Sequence, residues 1–315
     1  MGTYIVRRLA LTIPLLLLVS VIVFGLSQLI QGDPAVVVAG GQQATPAGIE
    51  RAREEMHLDR STAAQYGIWL GGAVRGDLGE SFYNNRTVAA EISARFPVTL
   101  SVALGAIFVT IALGVPMGLI AGVRPGSKID RIVTFSSSTG LAIPDFWLAM
   151  VLVTIFAVNL QWLPAIGYVS FTESPSEWAN HLYLPWIAMG IPGAAGLARQ
   201  VRGALIDAME QDYIRTARAK GLPSRMVVMK HAFKNASIAP VTVLGISFAY
   251  MLGGTVILET IFSLPGMGQY FYTALINKDL PVIQGVVLLT ALIFVVLNLL
   301  VDVLYAYLNP KVRLG

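Results

Sequence analysis

Two long charge-free apolar runs, Trp178 to Ala198 and Asn235 to Leu258, constrain this chain more than any other feature, because each is long enough to cross a bilayer. Between them lies Arg199 to Asn235, 37 residues with eight Lys or Arg against three acids, Asp207, Glu210 and Asp212. A wet, basic insert between two membrane spans is the direct reading. Composition agrees: 55% of the 315 residues are hydrophobic and only 13% charged, against about a quarter charged in ordinary soluble domains. The chain therefore reads as an all-α polytopic membrane protein.

Further spans follow from the same pattern. Leu9 to Gly32 is charge-free and lacks a convincing cleavage site, so it is expected as a retained first span. Gln31 to Pro97 is polar, with six Arg and eight acids; Thr45-Pro46 and Ser61 are expected to cap two of its helices, and Gly76 to Ser81 to turn. Phe96 to Val123 is the second span, with Gly114, Gly118 and Gly122 on one face as a small-residue seam. Ile132 to Leu160 is the third, interrupted at Pro144 and Asp145, whose carboxylate must face protein or water. Gln161 to Tyr183 is expected as a polar loop with an aromatic belt of Trp162, Trp178 and Tyr183. Leu184 to Ala198, which can extend back to Trp178, Ile238 to Leu258 and Leu280 to Val301 complete six spans, with Gly245, Gly253 and Gly254 permitting close approach or bending in the fifth.

Charge orients the bundle. With the N-terminus inside, the cytoplasmic pieces carry 2, 3, 8 and 2 Lys or Arg (Arg7 and Arg8; Arg124 to Arg131; Arg199 to Asn235; Lys311 and Arg313). The two short outer loops carry none and one, Lys278, so both termini are expected in the cytoplasm. The long segment 31–97 is exempt from this rule and is expected outside. The organisation is thus 1–30 tail and first helix, 31–97 extracytoplasmic domain, 98–303 core with the insert 199–235, and 304–315 tail.

Within the insert, Leu205, Met209, Tyr213 and Thr216 or Ala217 recur at helical spacing and predict one helix with a narrow apolar face. Gly221 before Leu222 and Pro223 predicts a left-handed C-cap. Ser224 is expected to cap a second short helix carrying Met226, Met229 and Phe233 on one side. Two helices at a glycine elbow would form a knob.

The run Asp212-Tyr213-Ile214-Arg215-Thr216-Ala217-Arg218-Ala219-Lys220-Gly221-Leu222 resembles the EAA motif of ABC importer permeases, in the form used by the dipeptide, oligopeptide and nickel permease family. Arg215 stands where the general motif has glutamate, and His231 to Lys234 where it has Ile-x-Leu-Pro; both departures are similar to the peptide branch. Glu259 to Gly268, ETIFSLPGMG, looks like that family's second signature, in which Phe262, Pro265, Gly266 and Gly268 would turn the chain at the outer surface. The resemblance implies the type I importer permease fold, and it casts Asp212 to Leu222 as the coupling helix that docks on an ATPase. It also implies partners: a second homologous permease, two ATPase subunits, an extracytoplasmic binding protein and a peptide substrate within membrane lipid. Asp145, Gly253, Gly254 and Glu259 are candidates for the path or gate.

The residues exclude other chemistry. There is no Gly-x-x-x-x-Gly-Lys-Ser/Thr, so ATP and Mg are expected on the partner subunits and no cofactor on this chain. No cysteine and three scattered histidines leave no thiol nucleophile and little material for a metal. No nucleophile and base constellation suggests an enzyme, and no nucleic-acid role is expected. The competing reading is an ion-coupled secondary transporter in which Asp145, Glu259 and Asp302 carry ions; against it, no internal repeat is evident, and Glu259 and Asp302 lie at span ends where contact with water alone is expected.

Overall fold

The computed structural model describes residues 2–29 and 33–308, among which helices are the only regular elements apart from one isolated bridge between Glu80 and Thr87. Gln31, Lys311 and Arg313 lie outside the described residues, as does the side chain of Asp302. Two compact units are present, the first from Val98–Leu264 with 296–308, the second from Gly2–Pro97 with Pro265–Val295.

The first unit is organised on α8 (Pro175–Met209), which packs against α6 (Lys128–Ala142), α7 (Asp145–Leu152) and α12 (Ile238–Gly254). The predicted glycine seam on α5 (Val88–Val123) also meets α8. A Cβ on Gly114 would sit 2.8 Å from the Ala194 carbonyl, on Gly118 2.6 Å from that of Ala198, and on Gly122 3.2 Å from that of Arg202. The approach is reciprocal, since a Cβ on Gly190 of α8 would lie 2.6 Å from Val109. With no hydrophobic drive between helices in lipid, such backbone proximity is what holds them. Around it Val102, Ala106, Ala188, Leu184, Met251 and Leu258 form a buried core.

Several expectations are corrected here. The polar loop before the fourth span is shorter than predicted: Ser174 caps α8, so Trp178 and Tyr183 lie on the helix and stack edge-on against Trp186 at 5.2 and 5.6 Å. Moreover α8 runs 35 residues without interruption, so the fourth span and the start of the basic insert are one rod. The interruption predicted at Pro144 and Asp145 is present: the chain bends by 96° between α6 and the segment Asp145–Asn159, because Ile143 and Pro144 are extended and proline supplies no N–H. After α12 the chain breaks at Thr255 before α13 (Val256–Ile261). By length and composition α5 and Leu280–Val301 of α15 (Leu280–Leu308) each suffice to cross a membrane, and the bent pairs 128–159 and 224–254 are candidates for two more.

The second unit contains α1 (Gly2–Ser27), α2 (Pro34–Val38), α3 (Pro46–Glu55), α4 (Thr62–Val74) and α14 (Met267–Asn277), with the start of α5 and of α15. Thr45 caps α3 through the Gly48 N–H with Pro46 behind it, as its sequence dictates, whereas Ser61 stands at the cap position of α4 without a side-chain bond. Phe24, Tyr66 and Trp69 form an aromatic triangle with centroids 5.5 to 6.1 Å apart. Gly76 and Gly79 take left-handed φ of 85° and 80°, and the turn they make is held by Asp279, whose carboxylate accepts from Ser81 Oγ (2.5 Å) and Phe82 N (3.1 Å). Nearby, Arg95 lies 4.6 Å from the Tyr270 ring centroid. Burial, with the Asp279 and Glu91 carboxylates behind it, pushes the Tyr270 phenol up to about 12, so it stays neutral.

The turn expected at the outer surface takes its left-handed residue from a position that was not predicted. Gly266 is extended (φ −92°, ψ −177°), which any residue adopts, and Gly268 is helical and buried in α14; the left-handed position is Ser263 at φ 50°.

Candidate functional site: the basic elbow

The basic insert folds from its buried side chains outward. The last turns of α8 bury Leu205 and Ala208, after which Gln211 turns extended (φ −71°, ψ 149°) and a separate helix α9 (Asp212–Ala219) begins. The single helix expected through Met209 and Tyr213 is therefore broken at Gln211, and the apolar register shifts: Ile214 and Ala217 are buried, while Tyr213 and Thr216 are exposed.

The end of α9 follows its sequence closely. Gly221 is left-handed at φ 74°, its N–H donates to the Arg218 carbonyl at 2.9 Å, and Leu222 N donates to the Ala217 carbonyl at 3.4 Å. This is the paired Schellman pattern, with Leu222 packed back on the cluster that holds Ala217. Pro223 starts the return arm, α10 (Ser224–Met226) running through π-helical turns at Val227–Phe233 into α11 (Lys234–Ala236). Ser224 is inside this helix and makes no cap; Met226 and Met229 are 42% and 47% exposed, and Val227 and Ala232 are buried instead.

One apolar pedestal thus supports both arms: Leu205, Ala208, Ile214, Ala217, Val227, Ala232 and Ala236. Above it Asp212, Tyr213, Arg215, Thr216, Arg218, Ala219, Lys220 and Gly221 are all exposed. Arg215 reaches Asp212 at 3.2 Å, with side chains 76% and 93% exposed, so this pair contributes almost nothing to stability. The charges are not there to hold the elbow together.

Sequence reasoning overlooked the clamp at its base. Arg202 of α8 donates from Nε to Asp130 Oδ1 and from Nη2 to Oδ2 (2.8 Å), and the buried Asp130 also accepts from Gly126 N at 2.8 Å. This bidentate pair ties the basic turn before α6 to the rod that carries the elbow. Ser127-Lys128-Ile129-Asp130 was a legible capping signature, and Ser127 Oγ does accept from Asp130 N at 3.1 Å.

The candidate path residues are more scattered. Asp145 opens α7, half-buried, and its carboxylate accepts from Phe146 N at 2.8 Å. Gly253 and Gly254 end α12 beside the Thr255 break, four to six residues before Glu259. Glu259 departs from expectation: it is fully buried, 0% exposed, and accepts from Thr99 Oγ1 at 2.7 Å. It therefore does not touch water at a span end. Among the described residues no cluster of three or more His, Asp or Glu suited to a metal is present.

Comparison with known proteins completes the description. Residues 114–314 match the model for the binding-protein-dependent transport system inner membrane component, and residues 1–103 match the model for the N-terminal part of such membrane components. The chain is 42% identical over 313 residues to a Brucella abortus (strain 2308) chain named as a peptide transport system permease protein, covering 99% of each. It is 38% identical over 313 residues to the glutathione transport system permease protein GsiC of Escherichia coli (strain K12), again covering 99% of each. Among solved structures, the methionine ABC transporter MetNI in an inward-facing conformation superposes with a TM-score of 0.57 at 20% identity, over 69% of this chain and 96% of that one.

Proposed function

The chain belongs to the family of inner membrane components of binding-protein-dependent transport systems, and from that premise we propose that it provides one half of a conduit for short peptides. It is a multi-pass bacterial inner membrane protein and a permease subunit of an ABC transporter, with ATP hydrolysis carried out by separate subunits. The peptide assignment is supported by relatives named for peptide and for glutathione, itself a short peptide. The proposed arrangement has six spans with both ends cytoplasmic, a second homologous permease, two ATPases holding ATP and Mg, and an extracytoplasmic binding protein delivering substrate.

One observation carries the mechanism: α9 and the Lys220-Gly221 cap behind it present eight exposed positions on a buried pedestal continuous with α8. Closure of the ATPases would displace α9, and α8, packed against α5, α6, α7 and α12, would carry that displacement into the bundle. Nucleotide biases the conduit only through its different affinity for the inward-open and outward-open states. Asp212 to Leu222 is the coupling element; Glu259, Gly253 and Gly254 lie at the α12 and α13 joint where the fifth span would flex.

The test is uptake of a labelled dipeptide by the complete transporter in proteoliposomes. Gly221→Trp, which denies the left-handed cap, should abolish ATP-driven uptake and weaken ATPase capture. Wild-type uptake and capture by this variant would overturn the coupling assignment. The ion-coupled alternative finds no support in the relatives, and ATP-independent uptake by this chain alone under an ion gradient would be needed to revive it.

A further inference from the structure

Between the end of α5 and the return arm of the elbow lies an open trough of about 380 Å³ that the transport mechanism does not use. Its walls are aliphatic. Ile120 is 54% exposed, Val123 40%, Ile129 46% and Met229 47%, a grouping that acyl chains would cover more favourably than water. Its polar members are Arg124, Arg225 and Ser224. Arg124 directly follows the charge-free run that ends at Val123, so the lining passes from hydrocarbon to headgroup character within one residue. Arg225 comes from a different element and sits beside Ser224 at the start of the return arm.

No carboxylate lines the trough. Asp130, the acid nearest in sequence to Arg124, has both oxygens committed to Arg202. Among the described residues neither Arg124 nor Arg225 forms an ion pair, and both are exposed. Two arginines lining an apolar slot match a phosphodiester with an acyl tail; Arg suits phosphate through its planar fork. A zwitterionic headgroup would bring its ammonium against two cations.

We propose that this trough is a binding site for an anionic phospholipid, with one acyl chain along Ile120, Val123, Ile129 and Met229 and its phosphate between Arg124 and Arg225. Bound there, the lipid wedges the return arm of the elbow against the end of α5. The complete transporter, purified with its partner subunits and exchanged into vesicles of phosphatidylglycerol or phosphatidylcholine, is examined by native mass spectrometry for lipid that survives detergent extraction. Retention of phosphatidylglycerol, but not of phosphatidylcholine, is expected. Apparent affinity should fall roughly fivefold with either Arg124→Gln or Arg225→Gln and roughly twenty-five-fold with both. The Arg→Lys pair should retain most of it. Ile120→Trp, which fills the slot and keeps both charges, should also release the lipid, and melting in phosphatidylcholine confirms that each variant is folded. Equal retention by wild type and double Gln variant, equal retention of the two lipids, or cross-linking from position 229 that captures a partner subunit in place of lipid would overturn the proposal.

Discussion

The α5–α8 seam and the α9 elbow both depend on glycine, for opposite reasons. In the seam, Gly114, Gly118 and Gly122 have ordinary helical backbone, and what they supply is space: a Cβ on Gly118 would meet a carbonyl oxygen at 2.6 Å. At the elbow, Gly221 has nothing within 4 Å of where a Cβ would stand, and what it supplies is a φ of 74°. Thus the buried seam should fail by crowding and the exposed elbow by conformational strain. The first failure damages the fold; the second leaves the fold and damages coupling.

The sharpest way to break this distinction is Gly118→Leu. Its side chain faces backbone that cannot move aside, so the destabilisation should be about 3 kcal/mol or more, seen as loss of the thermal transition in detergent. An unchanged transition would mean that α5 and α8 are not in contact at this point. Arg202→Ala comes next, leaving Asp130 buried without its partner at a cost of about 3 kcal/mol; the double change with Asp130→Ala should recover part of it in the same melt. Thr99→Val removes a donor to the buried Glu259 and should cost about 2 kcal/mol, tested by melting and by whether uptake falls further than stability alone accounts for.

Gly221→Ala should cost about 1–2 kcal/mol locally while scarcely moving the global melt, and Gly221→Asn, which tolerates the left-handed region, should restore uptake toward wild type. Full uptake by the alanine variant would show that the cap conformation is not needed. The smallest effect on folding belongs to Arg215→Gln, below about 0.5 kcal/mol, because its ion pair with Asp212 is almost fully solvated. If the elbow is the docking surface, that variant should nevertheless weaken capture of the ATPases.

Legibility in the sequence followed how local each determinant is. The Gly221 cap, the Thr45-Pro46 start and the glycine seam were readable because each depends on residues within one or two turns of helix. The register of α9 was misread because Leu205 to Ala217 keeps helical spacing across Gln211, and the break there decides that Ile214, not Tyr213, is buried. Glu259 was assigned to water because its partner Thr99 is 160 residues away.

By itself, the order of residues determined that this chain is helical, apolar enough for a membrane and punctuated by a basic insert ending at a glycine, since hydropathy, charge and caps act along the chain. Tertiary structure alone decided which distant polar groups meet: Arg202 with the buried Asp130, Glu259 with Thr99, Asp279 with Ser81. The physical reason is that a buried charge is tolerable only where distant elements bring it a partner, and no local pattern encodes that meeting.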